Sequence, residues 1–499
     1  MKKGFLSLCC VAALASSSFA STDMMKQLEA LKAQIAALEA QIKAQGEKNT
    51  QLEDGLKQQE QKIVKVEKKV NKTNETVNQV KAHDAGDNIK WDVDFRTQVD
   101  NVSYKLGNGK KIRNDGVFSN RLWLNMKFQA DDNSSFFGTL SYNKLYGDNL
   151  AGDGNNNMSN FDWVTNESAT NDNEIKVKEA FWLYANDTFL GTEVPWTASI
   201  GRRPSTDGLG INFRADQERK SALSHTVNVE FDGASVMFNL DKLTGVDGMW
   251  TKFCFGRGLT NSTLRFNQTP GKQDFTKDKT YSDNIDMAGI IFVPYDNGQY
   301  SIHTNYAKAW NLIGIEAANP AGGFKDFGDI ELATIMLKAW GVGNGISDFL
   351  DDTTLFASYA MSKTDPKNGR NMLGSANSET GHSYLIGANM PCPLSEDARV
   401  GIEWNKGSKY WRSITYGEDT MAGSKIAARG TAWEIYRHQK LTDALSFTLR
   451  YTHIDYDYTG SNGFFGDFGT PMTMSQALNN GNNAVSEAQN ITANIRYRF

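Results

Sequence analysis

The residues best suited to chemistry are the charged side chains of one stretch, GRRPSTDGLGINFRADQERKS, at positions 201 to 221. Its basic residues are Arg202, Arg203, Arg214, Arg219 and Lys220, and its acidic residues are Asp207, Asp216 and Glu218. Charged groups beside a narrow, partly dehydrated passage decide which ions cross it. The same composition suits a solvated surface loop whose charges offset one another, so the role of the stretch depends on the elements that position it.

Motifs for catalysis or metal binding are missing from the sequence. No GxSxG, HExxH or P-loop spacing occurs, and the six histidines are scattered without metal-ligand spacing. Beyond the first twenty residues only Cys254 and Cys392 remain, which excludes a disulfide scaffold. We therefore expect no enzyme, no cofactor and no metal, although an active site built from strand residues would need no linear motif.

The first twenty residues are typical of a secretory signal peptide, 1–20. Lys2 and Lys3 form its basic start, residues 5–14 its apolar run, and small residues at 18 and 20 its cleavage site. A lipoprotein signal at one of the two cysteines in the run is the alternative, but the residues before them match it poorly.

Residues 21–83 carry a heptad pattern without proline or aromatic residues from Met24 to Lys81. A sustained 3.5-residue period predicts a supercoil of helices, and the partner helices must come from other copies of the chain. We therefore predict a coiled coil, with a trimer favoured over a dimer. Its seam includes Leu28, Leu31, Ile35, Leu38, Ile42, Asn49, Leu52, Leu56, Ile63, Val66, Val70 and Val77.

Residues 84–499 change to a period of two, with polar and apolar residues alternating from Trp91 onwards. Such alternation predicts half-buried strands. No apolar run is long enough for a membrane helix, but a barrel crosses with alternate residues and needs none. A soluble two-sheet sandwich is the alternative, and this segment would be large for it.

The strands are joined alternately by short turns and by long loops rich in Gly, Asn and Asp. Long loops are predicted near 104–117, 146–173, 204–223, 258–282, 311–328, 363–382, 407–427 and 458–488. Eight loops and seven turns predict an all-β transmembrane barrel of about 16 antiparallel strands. This count takes HTVNVEFDGASVMFNL as one strand with a bulge at Asp232 and Gly233, so that Val227, Val229 and Phe231 face outward.

The ending ITANIRYRF, which closes on Phe499, resembles the terminal strand by which outer-membrane barrels are recognised by their insertion machinery. The strand and loop counts resemble trimeric general porins, and a coiled coil ahead of such a barrel is similar to the sucrose porin architecture. The whole chain, with GRRPSTDG after a strand, resembles an uncharacterised family of coiled-coil porins.

This resemblance implies a Gram-negative outer-membrane location, a homotrimer and a periplasmic coiled coil. In sixteen-stranded porins the third outer loop folds into the lumen. The resemblance therefore implies a pore constriction formed by Arg203, Asp207, Arg214, Asp216, Glu218 and Arg219.

Alternation along the strands predicts a charged lumen wall. It comprises Asp92, Asp94, Arg96, Arg121, Lys127, Lys176, Lys178, Arg450, Arg496 and Arg498, with Glu230, Glu331 and Glu403. Basic residues are in excess, which predicts a weak anion preference, although a one-residue slip would reverse several positions. Trp123 and Trp182 also fall on this nominal lumen face.

The sequence thus predicts a porin that passes small hydrophilic solutes or ions by diffusion. The alternatives are a structural envelope protein that tethers or spaces the outer membrane, and a surface receptor or adhesin. Expected partners are two further copies of the chain, outer-membrane lipids and the insertion machinery, with peptidoglycan as a candidate contact of the coil and no nucleic acid.

Overall fold

The computed structural model describes residues 89–147, 175–220, 222–261, 283–416 and 418–499, with seven separate positions between 29 and 46. The chain divides into two units, Met1–Asp87 and Asn88–Phe499. In the first unit the described residues are all helical and exposed: Glu29, Lys32, Ala33, Ala36, Ala40, Lys43 and Gly46. The signal peptide and every seam residue lie outside the described residues, so the coiled coil stays a prediction.

The second unit is a closed barrel of sixteen antiparallel strands within the described residues, as the sequence predicted. Closure comes from the pairing of the first strand with the last, Asp94 opposite Arg498. The strands are β1 (Ile89–Leu106), β2 (Lys111–Gln129), β3 (Ser134–Leu145), β4 (Ile175–Asn186), β5 (Trp196–Ser205), β6 (Val227–Asn239), β7 (Trp250–Leu259), β8 (Ile285–Asp296), β9 (Tyr300–Gly314), β10 (Lys325–Trp340), β11 (Thr354–Pro366), β12 (Thr380–Pro391), β13 (Ala398–Gly407), β15 (Gly430–Lys440), β16 (Leu445–Tyr456) and β17 (Val485–Arg498). A two-residue segment, β14 (Ile414–Thr415), lies apart from the wall and pairs in parallel with the start of β6.

The last strand shows why these sequences form a wall with two different faces. Ile491 and Ile495 are 46% and 53% exposed, whereas Thr492 and Arg496 between and beside them are 1% and 4% exposed. Successive side chains of a strand point to opposite faces, so one face is apolar and outward and the other is polar and inward. The inward face is covered by other parts of the same chain.

The connections separate into two rims. Seven short turns define the turn rim, which also holds the start of β1 and the end of β17, and eight connections define the loop rim. The prediction of a long loop at 104–117 was wrong, because β1 and β2 continue as a hairpin joined by residues 107–110. Residues 107–116 are mostly exposed, so they show no apolar alternation in the sequence, and the strands are extended there by backbone pairing.

Short helices and turns of helix occur within these connections. They are Asn212–Ala215, Asp241–Thr244, Asp348–Asp351 and Met474–Asn479, with 3-10 turns at Pro320–Gly322 and Asp467–Gly469. Among the described residues, no helix is both long enough and apolar enough to cross a bilayer.

Strand β6 is a single strand, as predicted, but the predicted bulge at Asp232 and Gly233 is wrong. Its pairing with β5 and β7 runs through these residues without a register shift. Val229 and Phe231 are buried in an apolar cluster with Ile414 and Phe464, which belong to loops. These apolar residues therefore face a core inside the barrel, where loop residues and not lipid cover them.

Candidate functional site

Within the described residues, two loops from the loop rim supply charged side chains to the centre of the lumen, and we call them the inner loops 206–226 and 408–429. The first reaches several sides of the wall through its charged residues. Arg219 contacts His303 of β9 at 3.3 Å, Lys220 pairs with Glu179 of β4, and Asp216 pairs with Arg498 of β17. The loop is thus held inside the barrel by contacts to widely separated strands.

A central ion-pair cluster joins the two inner loops to the wall. Arg214 lies 2.9 Å from Glu418 and 3.5 Å from Glu434, and Lys425 pairs with Glu403 and, at 3.4 Å, with Glu434. All five side chains have an exposed fraction of 0%. Burial by itself would lower the pKa of Arg214, but Glu434 and Glu418 hold it above its usual value, so the guanidinium stays charged.

A second cluster fixes the inner loop 408–429 against the first and last strands. Asp419 accepts a 2.7 Å hydrogen bond from Arg96 and lies 3.7 Å from Arg121, while Asp94 accepts one of 2.7 Å from Arg496. Burial alone would raise the pKa of Asp419, but Arg96 and Arg121 lower it below its usual value. The carboxylate is therefore charged at any physiological pH.

Trp123 lies on the inner face beside these charges, as its strand position predicted. The Arg121 guanidinium lies 3.7 Å and the Lys178 ammonium 4.9 Å from its ring centre. Trp182, placed on the same face by the sequence, is instead 44% exposed on the outside. A register shift between β3 and β4 at Thr139 changes the alternation of the following residues.

The remaining candidates for the constriction occupy different surroundings. Arg203 lies on the inner face and donates a 2.8 Å hydrogen bond to Ser235. Asp207 is 2% exposed in a left-handed conformation with φ of 53°, whereas Glu218 is exposed. The inner loop thus brings together Arg214, Asp216 and Arg219 with the wall, but it leaves Glu218 in solvent.

Wall candidates near the turn rim are more open than those at the centre. Asp92 is exposed and accepts a hydrogen bond from Asn125, and Lys127 is exposed with its ammonium 5.4 Å from the ring centre of Phe137. Phe499 is 84% exposed, and its backbone pairs with Val93 of β1.

Wall candidates nearer the loop rim are held by neighbours. Lys176 is half-buried opposite Ser141, and Lys178 lies 2.9 Å from Glu230. Arg450 lies 3.9 Å from Glu434.

Glu331, predicted to face the lumen, lies on the outer face, where Lys308 is 3.7 Å away. Its strand neighbours Ile330 and Leu332 are fully buried, so the inward positions of β10 are the even ones. Conversely, Glu434 was not predicted as a lumen residue. Its alternate neighbours on β15, Ala432 and Tyr436, share its inward face, so the strand alternation could have indicated it. Glu418, Asp419 and Lys425 carried no such signal, since loop residues have no alternation.

The family model described as Protein of unknown function (DUF3373) matches residues 111–499. No curated protein matches the chain in sequence.

Several solved porins are similar in structure. An anion-selective porin from Comamonas acidovorans has 13% identity and a TM-score of 0.44, covering 82% of this chain and 99% of its own. OmpF of Salmonella typhi, solved with Daunomycin, has 12% identity and a TM-score of 0.44, with coverage of 83% and 99%. OprB of Pseudomonas putida has 10% identity and a TM-score of 0.44, with coverage of 83% and 94%. At such low similarity, function has to be argued from the barrel itself.

Proposed function

We propose that this chain, which belongs to the DUF3373 family of proteins of unknown function, is an outer-membrane porin that passes small hydrophilic solutes or ions by diffusion. The observation that carries the proposal is the closed barrel with an apolar outer face and a charged lumen into which an inner loop is fixed. A closed sheet has no unpaired edge, so it can lie in lipid with the backbone N–H and C=O groups of every strand hydrogen-bonded. Its polar interior then serves as the route for solutes.

The inner loop 206–226 acts as the constriction in this proposal. Its ion pairs to β4 and β17 restrain it, so it narrows the lumen permanently rather than by closing on demand. Charges at a narrow, partly dehydrated passage raise the barrier for ions of the same sign. Solutes are thereby selected by size and by charge.

A weak anion preference follows from which charges are left without a counter-charge. Arg96, Arg121 and Arg496, part of the predicted basic excess, each lie within ion-pair distance of Asp94 or Asp419, which reduces their field. Farther round the wall, Arg203 of β5 and Arg219 of the inner loop form no ion pair with any described residue. The basic field of the passage is therefore expected along β5 to β10, away from the compensated clusters.

The proposed setting is the Gram-negative outer membrane, with the turn rim and both ends of the barrel segment towards the periplasm. Three copies would assemble through the coiled coil at 21–83. The coil would extend into the periplasm, where peptidoglycan is its candidate contact.

Planar bilayer recording tests the function directly. Purified protein is expected to produce stable conductance steps in groups of three, and a salt gradient should reveal a reversal potential of anionic sign. Replacing Arg203 and Arg219 by Ser should shift that potential towards cations, whereas Arg113→Ser on the exposed β1–β2 hairpin should leave it unchanged. A protein that inserts and never conducts would refute the porin function.

A second function is favoured by one observation, the complete burial of the central ion-pair cluster. Five charged side chains with no exposed surface leave no water-filled path between them. A barrel filled in this way suits an anchor, with the coil at 21–83 tethering or spacing the envelope. Absence of conductance, combined with envelope defects on deletion of that segment, would support the tether over the porin.

A further inference from the structure

A cavity of about 70 Å³ lies on the inner side of strands β5 to β9. Its polar lining comes from Arg203, Ser205, Ser235, Lys252 and Asn305, with the free thiol of Cys254 beside them. The lining contains two basic side chains and no carboxylate. This volume is several times the roughly 10–15 Å³ that one water molecule requires. A small polyatomic ion therefore has room there.

Arg203 differs from its chain neighbour in how its charge is balanced. It donates to the hydroxyls of Ser199 and Ser235, and its guanidinium lies 4.4 Å from the ring centre of Phe181. Across the described ranges of the barrel, no carboxylate lies within ion-pair distance of it. Arg202, by contrast, has Glu230 at 3.2 Å and Asp232 at 3.5 Å. Only the outward-facing arginine of the pair is thus compensated by acids.

Positive charge is concentrated around the cavity. Lys252 is only 7% exposed, and Arg203 and Arg219 are both close enough to repel its ammonium group. The acid Glu179, on neighbouring β4, is paired with Lys220 of the inner loop. A guanidinium such as that of Arg203, half-buried without a carboxylate at ion-pair distance among the described residues, is stabilised when an anion joins it.

We propose that this cavity is a binding subsite for a small oxyanion, a phosphate or carboxylate group, held between Arg203 and Lys252. The oxygens of such an ion would accept hydrogen bonds from the guanidinium, the ammonium, the Asn305 amide and the Ser235 hydroxyl. Guanidinium groups match the geometry of oxyanions with two parallel donors. The subsite rests on the proposed function, because it would concentrate anionic solutes along the passage.

Cys254 offers a direct test, because its thiol lines the cavity. In a Cys392→Ser background of the chain without residues 1–20 it is the single cysteine, and its labelling by methanethiosulfonates can be followed on the detergent-solubilised protein. An anionic reagent should label Cys254 faster than a cationic reagent of similar size. Inorganic phosphate should slow the labelling with a saturable, millimolar dependence, and chloride at equal ionic strength should not.

Matched variants assign the effect to the cavity. Arg203→Gln should raise the phosphate concentration for half-protection by about ten-fold or more, the worth of one charge-assisted hydrogen bond. Arg202→Gln, the control, should behave like the parent. Heat-dependent gel mobility confirms folding of each variant.

The subsite is overturned if phosphate does not slow the labelling, if the two variants behave alike, or if Cys254 does not react in the folded barrel. Bilayer recording separates this result from the wider proposal. A channel that conducts without phosphate protection refutes only the subsite, whereas a protein that never conducts refutes the porin.

Discussion

Asp419→Asn is the substitution that most directly tests how the inner loop 408–429 is held in the lumen. Asp419 is the acid shared by Arg96, at 2.7 Å, and Arg121, at 3.7 Å, and all three side chains are nearly or fully buried. Asparagine keeps the size but removes the charge, which leaves the buried Arg96 guanidinium without its paired acid and Arg121 with Asp94 alone, at 3.6 Å.

Removing one partner of a buried ion pair costs about 3–5 kcal/mol. Since each 1.4 kcal/mol is a factor of ten, the equilibrium for detachment of the loop should shift by roughly two to four orders of magnitude. The wall itself, whose strands pair through backbone hydrogen bonds, should remain closed.

Limited trypsin digestion reads out this detachment at Lys425, whose side chain has no exposed surface while the loop is in place. The variant should be cut after Lys425 far faster than the parent while heat-dependent gel mobility still shows a folded barrel. Asp443→Asn is the control, because Asp443 pairs with Lys440 on the turn rim and is fully exposed. Equal cleavage rates in Asp419→Asn and the parent would refute the idea that this ion pair holds the loop.

Two further predictions concern the loops that close the lumen. Arg429 is fully buried, and it donates hydrogen bonds to the carbonyls of Trp411 and Thr459, which lie in two different loops. We expect Arg429→Gln to lower the free energy of unfolding by about 3 kcal/mol and to lower the unfolding temperature. The control, Arg113→Gln at an exposed residue, should leave both unchanged. A normal unfolding temperature would show that these hydrogen bonds are dispensable. Burial lowers the pKa of His225, held between Ser358 and Ser383, to about 3. The unfolded chain takes up this proton below about pH 6.5 and the folded chain does not, so stability should fall by up to about 1.4 kcal/mol per pH unit from 6.5 down to 3. In acid denaturation followed by gel mobility, His225→Gln should flatten that slope, and an unchanged slope would contradict the assignment.

Much of the wall could be predicted from the sequence, because the period of two is a local property of each strand. The closing strand is an example: Ile491 and Ile495 face outward and Arg496 inward, as their alternation indicated. The sixteen strands followed from the same pattern.

Some strand residues were assigned to the wrong face because of local irregularities in the barrel. Trp182 lies on the outer face and not on the predicted inner face, because the β3–β4 pairing contains a register shift. No residue type in β4 indicates this shift. Val229 and Phe231 were given to the outer face because apolar residues were assumed to need lipid, whereas Phe464 and Ile414 supply an inner apolar surface. An apolar residue at an alternating strand position indicates that its side chain is shielded from water. It does not indicate whether lipid or another part of the protein shields it.

The sequence by itself determined a closed barrel with charged residues on its inner face, since alternation is set residue by residue along each strand. Only the tertiary structure decided which of those charges are compensated by an ion pair and which are not. Glu418 lies 204 positions from Arg214, and Asp419 lies 323 positions from Arg96, and the fold alone brings each pair within ion-pair distance. A charge on a strand is visible in the sequence, but its compensation by a distant loop depends on packing in three dimensions.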